Sequence, residues 1–518
     1  MRKLLVVLVA FAGCVLASAQ QKAPNDIYVV VTDKMPTNAQ LQQLRALGPI
    51  HYAYKTLPAV AINVPPNRLT ELNALPFVRA VYADAEVQQD GHVDSRPHIE
   101  DTYNLDLIDA LSSDVTVGGT EYTGAGVYVA VLDTGLIQDW SLYLDPARVA
   151  TQYGINFIGP VANVNYNLWQ HDTNSHGTAV AATVIGYKLD DDSAEGGFLP
   201  APLTGDPNAR VWVRGVAPGA TIIPVKVLNQ NGSGFFSSIV AGIDYITFLT
   251  QQSAFAGKRI VINMSLGGGS PFVPLEMAIN NAIAHGIVVV ASAGNSGEAG
   301  MGWPGAYPQV LSAGAVGWTH EFDQPASGVL PNPPDNTWWF TGNPAETTAS
   351  EVFVVSFSSR ERDSRAARFR CLGNVVCDQD LDVLAPGRRV LLPFLCTSFT
   401  CAGVPQPPAD PKPPNANVPS RYQFISGTSF SAPHVAGVAA LLLQANSALS
   451  ASQVETALEN TALAVPDNGL FQEVSASFAS FLTNRWDINC GTTATPDPCD
   501  PVGHGLVRTN LALQAVHP

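Results

Sequence analysis

The chain alternates between short apolar segments and helical stretches from residue 124 onward, and this alternation predicts the fold. The clearest apolar segments are residues 127–132, 221–228, 260–263, 287–291 and 310–313. Helical stretches lie between them, at residues 237–250 and 273–284. Strands that are apolar throughout are buried on both faces, which is typical of a parallel sheet covered by helices. We therefore expect an α/β fold with a mostly parallel, twisted sheet flanked by helices, in three layers.

A smaller pattern of strands and helices precedes this region. Strands are predicted at residues 27–31, 52–54, 59–64 and 78–82, and helices at residues 39–47 and 68–75. The polar, turn-rich stretch 90–97 that follows has the composition of a linker. The order βαββαβ predicts a small α+β domain, which is either an ordinary N-terminal subdomain or a removable prosegment.

The first residues have the three parts of a secretory signal peptide. Met1-Arg-Lys is basic, residues 4–16 are apolar, and Ala17-Ser-Ala19 is a small-residue cleavage motif. No other uncharged apolar run in the sequence is long enough to span a bilayer. We expect cleavage after Ala19 and export of a protein without a membrane span. Lipidation at Cys14 is a weaker alternative.

Cysteine content and charge restrict the class of protein. Seven cysteines less Cys14 leave six, and an even number suits an oxidising compartment. Close spacing favours three local pairs, with free buried thiols as the alternative: Cys371/Cys377, Cys396/Cys401 and Cys490/Cys499. The net charge of −16 argues against a nucleic-acid partner, because binding phosphates requires a basic surface.

Ser429 lies in the stretch Gly427-Thr-Ser-Phe-Ser-Ala-Pro-His-Val-Ala-Gly437, where a turn leads into an apolar helix. A helix N-terminus carries partial positive charge and unpaired N–H groups, which stabilise the anion formed when a hydroxyl attacks a carbonyl. We expect Pro433 near the first turn, because farther in it would remove a helical hydrogen bond. Ser429 is a candidate nucleophile, with an ordinary Ser-capped core helix as the alternative. A serine also needs a base and an orienting carboxylate.

Two further segments supply a candidate carboxylate and a candidate base. Asp133 follows a predicted strand and precedes a Thr-Gly pair, and His176 opens a helical stretch. Active groups in such sheets gather at the carboxyl ends of strands. The alternatives are a turn-forming Asp and a capping or exposed His. His171, Asp172 and His176 lack the spacing of two ligands on one helix face, so we expect no catalytic metal.

Asn295, in Ser-Ala-Gly-Asn-Ser-Gly after the strand predicted at 287–291, completes the candidates. Its side-chain NH2 is able to donate to a developing oxyanion, and a simple turn is the alternative. Together, four motifs resemble the subtilisin-like serine proteases: Val-Leu-Asp133-Thr-Gly, His176-Gly-Thr, Ala-Gly-Asn295 and Gly-Thr-Ser429. Subtilisin has the same chain order of Asp, His and Ser and the same Asn oxyanion donor, and both features were established on that enzyme.

The resemblance implies a role for each of the four residues. His176 takes the proton of Ser429, and Asp133 orients and stabilises the imidazolium. Asn295 and the backbone N–H of Ser429 hold the oxyanion. An imidazole acts as a base only when it is neutral, so cleavage should be strong at neutral to alkaline pH and decline below roughly pH 6.

The resemblance also implies a substrate-binding edge and a specificity pocket. The edge, where an extended peptide adds as a β-strand, consists of Ser265, Leu266, Gly267 and Gly268. The pocket walls are three small residues, which imply a roomy apolar pocket and broad specificity: Ala291, Gly294 and Gly302. The chemistry requires no cofactor. Structural calcium is possible, since the family often binds it, and Asp190-Asp-Asp192 is a candidate cluster.

The same resemblance implies how the chain is organised. It covers about residues 104–516, and residues 104–109 further resemble the proteinase K branch of the family. We expect a signal peptide at 1–19, an inhibitor propeptide at 20–95 and a peptidase domain with surface insertions at 96–518. The product would be a secreted, monomeric, self-processing zymogen that cleaves polypeptides and is inhibited by its own propeptide. One alternative is an inactive secreted scaffold on a protease fold. Another is an acid-acting sedolisin relative, which lacks the His-Gly-Thr motif.

Overall fold

The computed structural model describes most of the chain outside the first residues and several long loops. The described ranges are 26–89, 92–93, 102–159, 166–190, 210–319, 347–362, 369–370, 376–394, 422–465, 470–474, 480–483 and 499–517. The predicted signal peptide, Asp191, Asp192 and four cysteines lie outside them: Cys371, Cys396, Cys401 and Cys490. The predicted disulfides and the predicted Asp cluster therefore stay predictions.

The N-terminal unit is the small α+β domain that the sequence predicts. Its elements are β1 (Ile27–Thr32), α1 (Asn38–Arg45), β2 (Ile50–Ala53), β3 (Ala59–Asn63), α2 (Leu69–Asn73) and β4 (Val78–Ala83). The strands form one antiparallel sheet in the order β2-β3-β1-β4. α1 begins with a capping box, in which the Thr37 hydroxyl accepts from the backbone of Gln40.

Both faces of this small sheet are apolar, because its strands do not alternate apolar with polar residues. Tyr28 and Val30 of β1 pack with α1 and α2 in the unit's own core. Val29 and Val31 point to the other face and belong to a second core that is shared with the larger unit. An antiparallel sheet that buries both faces needs a cover on each side. One face is covered by the unit's own helices and the other by the rest of the protein.

Two short strands connect the N-terminal unit to the remainder, β5 (Glu86–Gln89) and β6 (His92–Val93). The next elements are α3 (Tyr103–Asp106), β7 (Thr116–Val117), β8 (Thr120–Glu121), β9 (Val127–Asp133), β10 (Ile155–Asn156), α4 (His176–Ile185), β11 (Tyr187–Asp190), β12 (Arg210–Val213), β13 (Thr221–Lys226), β14 (Ser233–Phe235), α5 (Phe236–Thr250), β15 (Arg259–Met264), β16 (Leu266–Gly267), α6 (Val273–Ala284), β17 (Val288–Ser292) and β18 (Leu311–Trp318).

The last part of the chain adds strands to the same sheet and the longest described helix. Its elements are β19 (Val352–Val355), β20 (Glu361–Arg362), β21 (Phe369–Arg370), β22 (Val376–Cys377), β23 (Val383–Pro386), β24 (Val390–Pro393), β25 (Tyr422–Ser426), α7 (Thr428–Ala445), α8 (Ala451–Thr461), β26 (Leu470–Val474), β27 (Ser480–Thr483), β28 (Cys499–Asp500) and α9 (Thr509–Val516). No helix within these described ranges is long and apolar enough to cross a membrane.

A ten-stranded, mostly parallel sheet forms the centre of the large unit. Its order is β10-β13-β9-β15-β17-β18-β19-β26-β27, and β23 also pairs with β18. The strands from β10 to β18 in this order run parallel, as do β18 and β23, whereas β19 pairs antiparallel with β18 and β27 with β26. The predicted parallel α/β sheet is confirmed.

Helices cover both faces of this sheet, which gives the three layers. Val129 and Val131 of β9 belong to the core on the side of α4 and α7. Ala130 and Leu132 belong to the core on the side of α5 and α6. Strand β9 is therefore buried on both faces, as its apolar sequence predicts. The sheet of the N-terminal unit lies over α5 and α6.

One local expectation is wrong: Pro433 does not lie in the first turn of the helix that follows Ser429. α7 already begins at Thr428, so Pro433 is its sixth residue. A proline there has no N–H to give to the carbonyl four residues earlier, which is the carbonyl of Ser429. That carbonyl accepts instead from the Ser265 hydroxyl, at 2.7 Å. The substitute bond explains why the helix tolerates the proline.

Candidate active site

Asp133 is the last residue of β9 and lies at the carboxyl end of the parallel sheet, fully buried. Its Oδ1 accepts from the backbone N–H of Thr134, at 2.6 Å. His176 is the first residue of α4. Its Nδ1 lies 2.9 Å from Asp133 Oδ1 and 3.0 Å from Oδ2. The structure thus brings the predicted carboxylate and the predicted base into contact.

This contact fixes which ring nitrogen of His176 carries the proton. A carboxylate only accepts, so Nδ1 is the donor and Nε2 is the basic nitrogen when the ring is neutral. His176 Nε2 is buried and has no hydrogen-bond partner among the described residues. The ring lies 5.5 Å from the ring of Phe430, the neighbour of Ser429. Its free nitrogen is therefore available for a proton near the start of α7.

Ser429 is the second residue of α7, after Gly427, whose φ of 152° ends the preceding strand in a conformation that favours glycine. The residue is fully buried. Its Oγ donates to the carbonyl of Ser265, at 3.2 Å, and not to His176. The structure therefore places Phe430, the neighbour of Ser429, beside His176, while the Ser429 hydroxyl is turned toward Ser265.

A second buried carboxylate, Asp172, supports the turn that carries His176. One of its oxygens accepts from the Thr134 hydroxyl at 2.8 Å, and the two also accept from the N–H groups of Asn174 and Ser175. The Thr134 hydroxyl in turn accepts from the N–H of Gly177, at 2.9 Å. Burial raises the pKa of Asp172 to about 6, opposed by the charge of Lys226. Asp172 therefore ties the end of β9 to the start of α4.

Lys226 lies behind the same turn, buried at the end of β13 beside β9. Its ammonium donates to the carbonyl of Thr134, and burial lowers its pKa against the opposing effect of Asp172 and Asp133. Sequence reasoning missed this lysine and the role of Asp172. A lysine that ends an apolar strand was the available signal, because a buried ammonium requires anionic partners.

Asn295 follows β17 and lies against the start of α7. Its Oδ1 accepts from both the N–H and the hydroxyl of Thr428, at 3.0 and 2.9 Å. The Thr428 hydroxyl also accepts from the N–H of Gly294, at 3.2 Å. Because the oxygen of the amide is engaged by Thr428, its NH2 group points away from that residue. The sequence found Asn295 but not Thr428, which orients it.

Ser265 connects the start of α7 to the substrate-binding edge. The Ser265 hydroxyl donates a hydrogen bond to the Ser429 carbonyl, and the Ser265 carbonyl accepts one from the Ser429 hydroxyl. The Asn263 side chain donates to the same Ser265 hydroxyl, at 2.9 Å. Leu266 and Gly267 follow as β16.

We predict that Ser265→Ala lowers the free energy of unfolding by about 1–3 kcal/mol, because the buried Ser429 carbonyl loses its donor and Pro433 offers none. Thermal denaturation of the full chain in a Ser429→Ala background, which retains that carbonyl, would measure the change. Ser447→Ala, at an exposed position after α7, is the matched control. Equal stability of the two variants would contradict the substitute bond.

The edge predicted at residues 265–268 is occupied by the chain itself. Strand β5 lies between β14 and β16 and pairs antiparallel with both. Gly267 faces Gln88 in this register, and Gly234 faces Val87. Val87 is buried, within 3.2 Å of where a Cβ on Gly268 would lie. The edge thus holds an extended peptide as the central strand of a three-stranded sheet.

The three predicted pocket residues lie around the end of this edge. Gly302 faces Gly268, because a Cβ on Gly302 would lie 3.6 Å from the Gly268 carbonyl. A Cβ on Gly294, which has φ of 107°, would lie 2.9 Å from the Ser359 hydroxyl. Ala291 is buried within β17, next to Met264. Gly302 lines the edge directly, Gly294 lies against Gly302, and Ala291 lies in the sheet behind them.

The chain also pairs on the other side of Ser429. Strand β6 pairs antiparallel with β25, so that His92 faces Ser426 and Val93 faces Ile425. Ser426 is three residues before Ser429. Since β5 ends at Gln89, two residues connect a strand on the edge to a strand beside the nucleophile.

His434 is not part of this constellation. It is buried in α7, with Nδ1 at 2.6 Å from the carbonyl of Phe430 and Nε2 at 2.9 Å from the Asn104 side chain. Burial lowers its pKa to about 4. The imidazole therefore stays neutral and joins α7 to the region before β7.

A comparison with known protein families agrees with this fold and with the presence of Asp133, His176 and Ser429. The sequence model of the subtilase family, peptidase family S8, matches residues 124–483. The chain belongs to the subtilase family. It is a subtilisin-like serine endopeptidase.

Individual relatives agree with this assignment. Subtilisin DY of Bacillus licheniformis is 30% identical over 351 residues, which are 67% of this chain and 87% of that protein. An extracellular serine proteinase of Thermus sp. is 30% identical over 430 residues, 82% of this chain and 76% of that protein. M-protease of Shouchella clausii is 26% identical over 484 residues, 90% and 93% of the two chains.

Among solved structures, fervidolysin of Fervidobacterium pennivorans, a keratinolytic enzyme related to subtilisin, has a TM-score of 0.56 and 21% identity. The similarity covers 95% of this chain and 61% of fervidolysin. It supports the fold alone. The proposed relation of residues 104–109 to the proteinase K branch stays a prediction.

Proposed function

We propose that the protein is an exported zymogen that hydrolyses peptide bonds through a triad of Asp133, His176 and Ser429. The observation that carries the proposal is the His176 ring, held by the Asp133 carboxylate at 2.9 Å beside the start of the helix that bears Ser429. A serine, a base and an orienting carboxylate in this relation are what acyl transfer requires.

In the proposed reaction His176 Nε2 takes the Ser429 proton while Oγ attacks the substrate carbonyl. The tetrahedral intermediate collapses when the same nitrogen gives that proton to the leaving amine, which breaks the C–N bond. Water then attacks the acyl-enzyme while His176 Nε2 takes its proton, and that proton passes to Ser429 Oγ as the ester C–O bond breaks and the acid product leaves. Asp133 holds Nδ1–H and stabilises the imidazolium. Groups of the protein itself carry every step, and the reaction needs no cofactor.

The oxyanion would be bound by the Asn295 NH2 and the backbone N–H of Ser429. Thr428 supports this role, because it holds the amide oxygen and so turns the NH2 away from itself. The Ser429 N–H lies in the first turn of α7, where N–H groups have no helical acceptor. Donors fixed in advance stabilise charge that develops only in the transition state.

The proposed substrate is an extended polypeptide with little side-chain selection. Strand β5 supports this proposal, because its backbone pairs with Gly234 on one side and Gly267 on the other. Main-chain pairing provides affinity without regard to sequence, and side-chain pockets provide the selection. Gly294 and Gly302 carry no side chain into the predicted pocket, which favours broad specificity.

We further propose that residues 20 to about 90 are an inhibitory propeptide that the enzyme removes itself. The two strand pairings on either side of Ser429 carry this proposal. The scissile bond would be one of those between Gln89 and His92, slightly before the predicted boundary at residue 95. The N-terminus of the mature enzyme, determined from its intact mass, should then be residue 90, 91 or 92. A mature enzyme that begins after residue 93 would contradict the cleavage position implied by the pairing of β5 with β16 and of β6 with β25.

The N-terminal unit makes polar contacts that suit a specific inhibitor. Asp244 of α5 accepts from the backbone N–H groups of Lys55 and Thr56, at 2.6 and 2.7 Å. Asp84 of the unit accepts from the N–H and hydroxyl of Ser237, at the start of the same helix. A carboxylate at a helix N-terminus is favourable because it meets unpaired N–H groups and the positive end of the dipole.

We predict that Asp84→Ala weakens a propeptide of residues 20–90 as an inhibitor of the mature enzyme by about 10- to 100-fold. The change removes two hydrogen bonds to a buried carboxylate, which typically contribute about 1.5–3 kcal/mol. The inhibition constant of each synthetic propeptide would be measured against one preparation of enzyme. Asp33→Ala, exposed in the same unit, should leave the constant unchanged. Equal inhibition constants for the Asp84→Ala and Asp33→Ala propeptides would refute the role of Asp84 as a cap of α5.

Activity itself is tested with casein and a serine-directed phosphonate. The processed protein should hydrolyse casein at neutral to alkaline pH and be labelled at Ser429. Processed protein that is not labelled there, or that works best near pH 4, would refute the proposed mechanism. The name of the Thermus relative, an extracellular proteinase, supports export. Export, a monomeric state and signal-peptide removal are part of the proposal.

A further inference from the structure

Gln379 is a buried polar side chain that the proposed catalytic mechanism does not use. It lies four residues before β23, and only 6% of the residue is exposed. Its side-chain amide contacts the backbone of Met301 twice. Oε1 accepts from the Met301 N–H at 3.2 Å, and Nε2 donates to the Met301 carbonyl at 3.4 Å. The amide therefore pairs with Met301 as a residue of an antiparallel strand would, through both polar groups of one backbone residue.

Met301 connects this amide to the predicted specificity pocket. The next residue is Gly302, one of the predicted pocket residues, and Trp303 follows it. Trp303 pairs with Gly268 in an isolated bridge, in which each backbone N–H donates to the carbonyl of the other residue, at 2.9 and 3.0 Å. Gly268 is the last residue of the substrate-binding edge. Three consecutive residues therefore join the Gln379 amide to the edge that holds β5.

Met301 belongs to neither a helix nor a strand, so the position of its backbone depends on contacts with other segments. The preceding Gly300 has φ of 103° and follows a single helical turn, Gly297–Ala299. A Cβ on Gly300 would lie 2.9 Å from Arg362 Cδ and 3.2 Å from Gln379 Oε1. That Oε1 also accepts from the N–H of Arg362, at 3.3 Å. Gln379 therefore holds two loops together, and the glycine at position 300 leaves room for it.

We propose that Gln379 is a positioning residue that determines side-chain selection by the specificity pocket. This inference rests on the proposed function, because it requires that Gly302 lines the pocket for the substrate residue before the scissile bond. Glycine contributes no side chain, so the shape of the pocket at Gly302 is set by the position of the backbone itself. Gln379 fixes that backbone at the adjacent residue, Met301.

The loss of this amide should displace the pocket wall and not the triad. Without Gln379, the buried N–H and carbonyl of Met301 lose a partner, and a buried polar backbone group without a partner is costly. Met301 lies between Gly300 and Gly302, whose backbones adopt new angles most easily. We therefore expect the segment to shift toward other partners and to carry the pocket wall with it. Among the described residues, no hydrogen bond joins Gln379 to the triad, so the chemistry should be retained.

The experiment compares three variants of the full chain after processing. Gln379→Met has a similar volume and packs as an apolar residue, but it removes both bonds to Met301. Gln379→Glu keeps an acceptor for the Met301 N–H and loses the donor to its carbonyl. Gln514→Ala, at an exposed position of α9, is the matched control. The substrates are two peptide amides that differ only in having Phe or Ala before the scissile bond.

The value of kcat/KM for the Phe substrate should fall by about 10-fold in Gln379→Met, mainly through a higher KM, because a large side chain contacts the displaced wall. The Ala side chain is too short to make this contact, so its kcat/KM should change by less than about twofold. Gln379→Glu should lie between Gln379→Met and the parent. Gln514→Ala should match the parent for both substrates.

Two results would overturn the inference. One is a ratio of Phe to Ala hydrolysis that is the same in Gln379→Met as in the parent. The other is an equal loss on both substrates, since a purely structural role lowers the fraction of active enzyme without regard to substrate. The pH dependence of kcat/KM and the labelling of Ser429 by the phosphonate should stay those of the parent. A parent that neither hydrolyses the substrates nor is labelled would refute the proposed function, and this inference with it.

Discussion

Ser429→Ala is expected to abolish peptide hydrolysis and to leave the N-terminal unit attached. The loss in kcat should be about 10⁶-fold, the scale found for the nucleophile of subtilisin, on which this magnitude was established. The reason is that His176 has a proton acceptor at Nε2 but no nucleophile left to activate. The uncut precursor should be longer than the active enzyme by about the length of the propeptide, as measured by intact mass.

The host for this experiment should be deficient in other proteases. Ser447→Ala, exposed beyond the end of α7, is expected to be processed and active like the parent. If Ser429→Ala is instead trimmed normally between residues 90 and 97, self-processing is wrong and a separate convertase is required. If it is trimmed nowhere but retains casein hydrolysis, the assigned nucleophile is wrong.

Asn295→Ala is expected to lower kcat by about 10²- to 10³-fold with little change in KM, again on the scale established for subtilisin. The oxyanion is absent from the bound substrate and develops only on the way to the tetrahedral intermediate, so the loss of one of its donors should not affect substrate binding. Steady-state kinetics on a peptide amide would separate the two constants.

Thr428→Val is the informative partner of this variant. It removes the hydroxyl that donates to Asn295 Oδ1 but keeps the backbone N–H that donates to the same atom. We expect a smaller fall in kcat, about 10-fold, because the amide is held less firmly. A rise in KM at constant kcat for Asn295→Ala would mean that the residue binds the ground state and not the oxyanion.

The sequence predicted the central sheet well because its strands are apolar on both faces. The run at 127–132 has no solvent side, and β9 is buried between two layers of helices. The helix predicted at 273–284 matches α6 at both ends. Asp133 and His176 were found because each is a polar residue at the edge of an apolar segment, where a local pattern makes it conspicuous.

Contacts between distant segments were not predictable in this way. Asp172 and Lys226 act through hydrogen bonds to the turn at Thr134. A lysine at the end of an apolar strand indicates that an anionic partner exists, but no local pattern shows which residue it is. The stretch at 90–97 has the composition of a linker, yet β6 lies within it, because its strand partner is supplied by β25. Pro433 was misplaced for the same reason, since the bond that replaces its missing donor comes from Ser265.

The shared apolar face of the N-terminal sheet makes the proposed activation one-way. Val29, Val31, Ala59 and Ala61 are buried between that sheet and helices α5 and α6. Once the propeptide is cut off and leaves, this face meets water, and the small sheet loses the burial that stabilised it. A segment of this size with one of its two faces uncovered is poorly folded and therefore easily cleaved. In the proposed activation, the inhibitor would thus become a substrate of the enzyme it has just released.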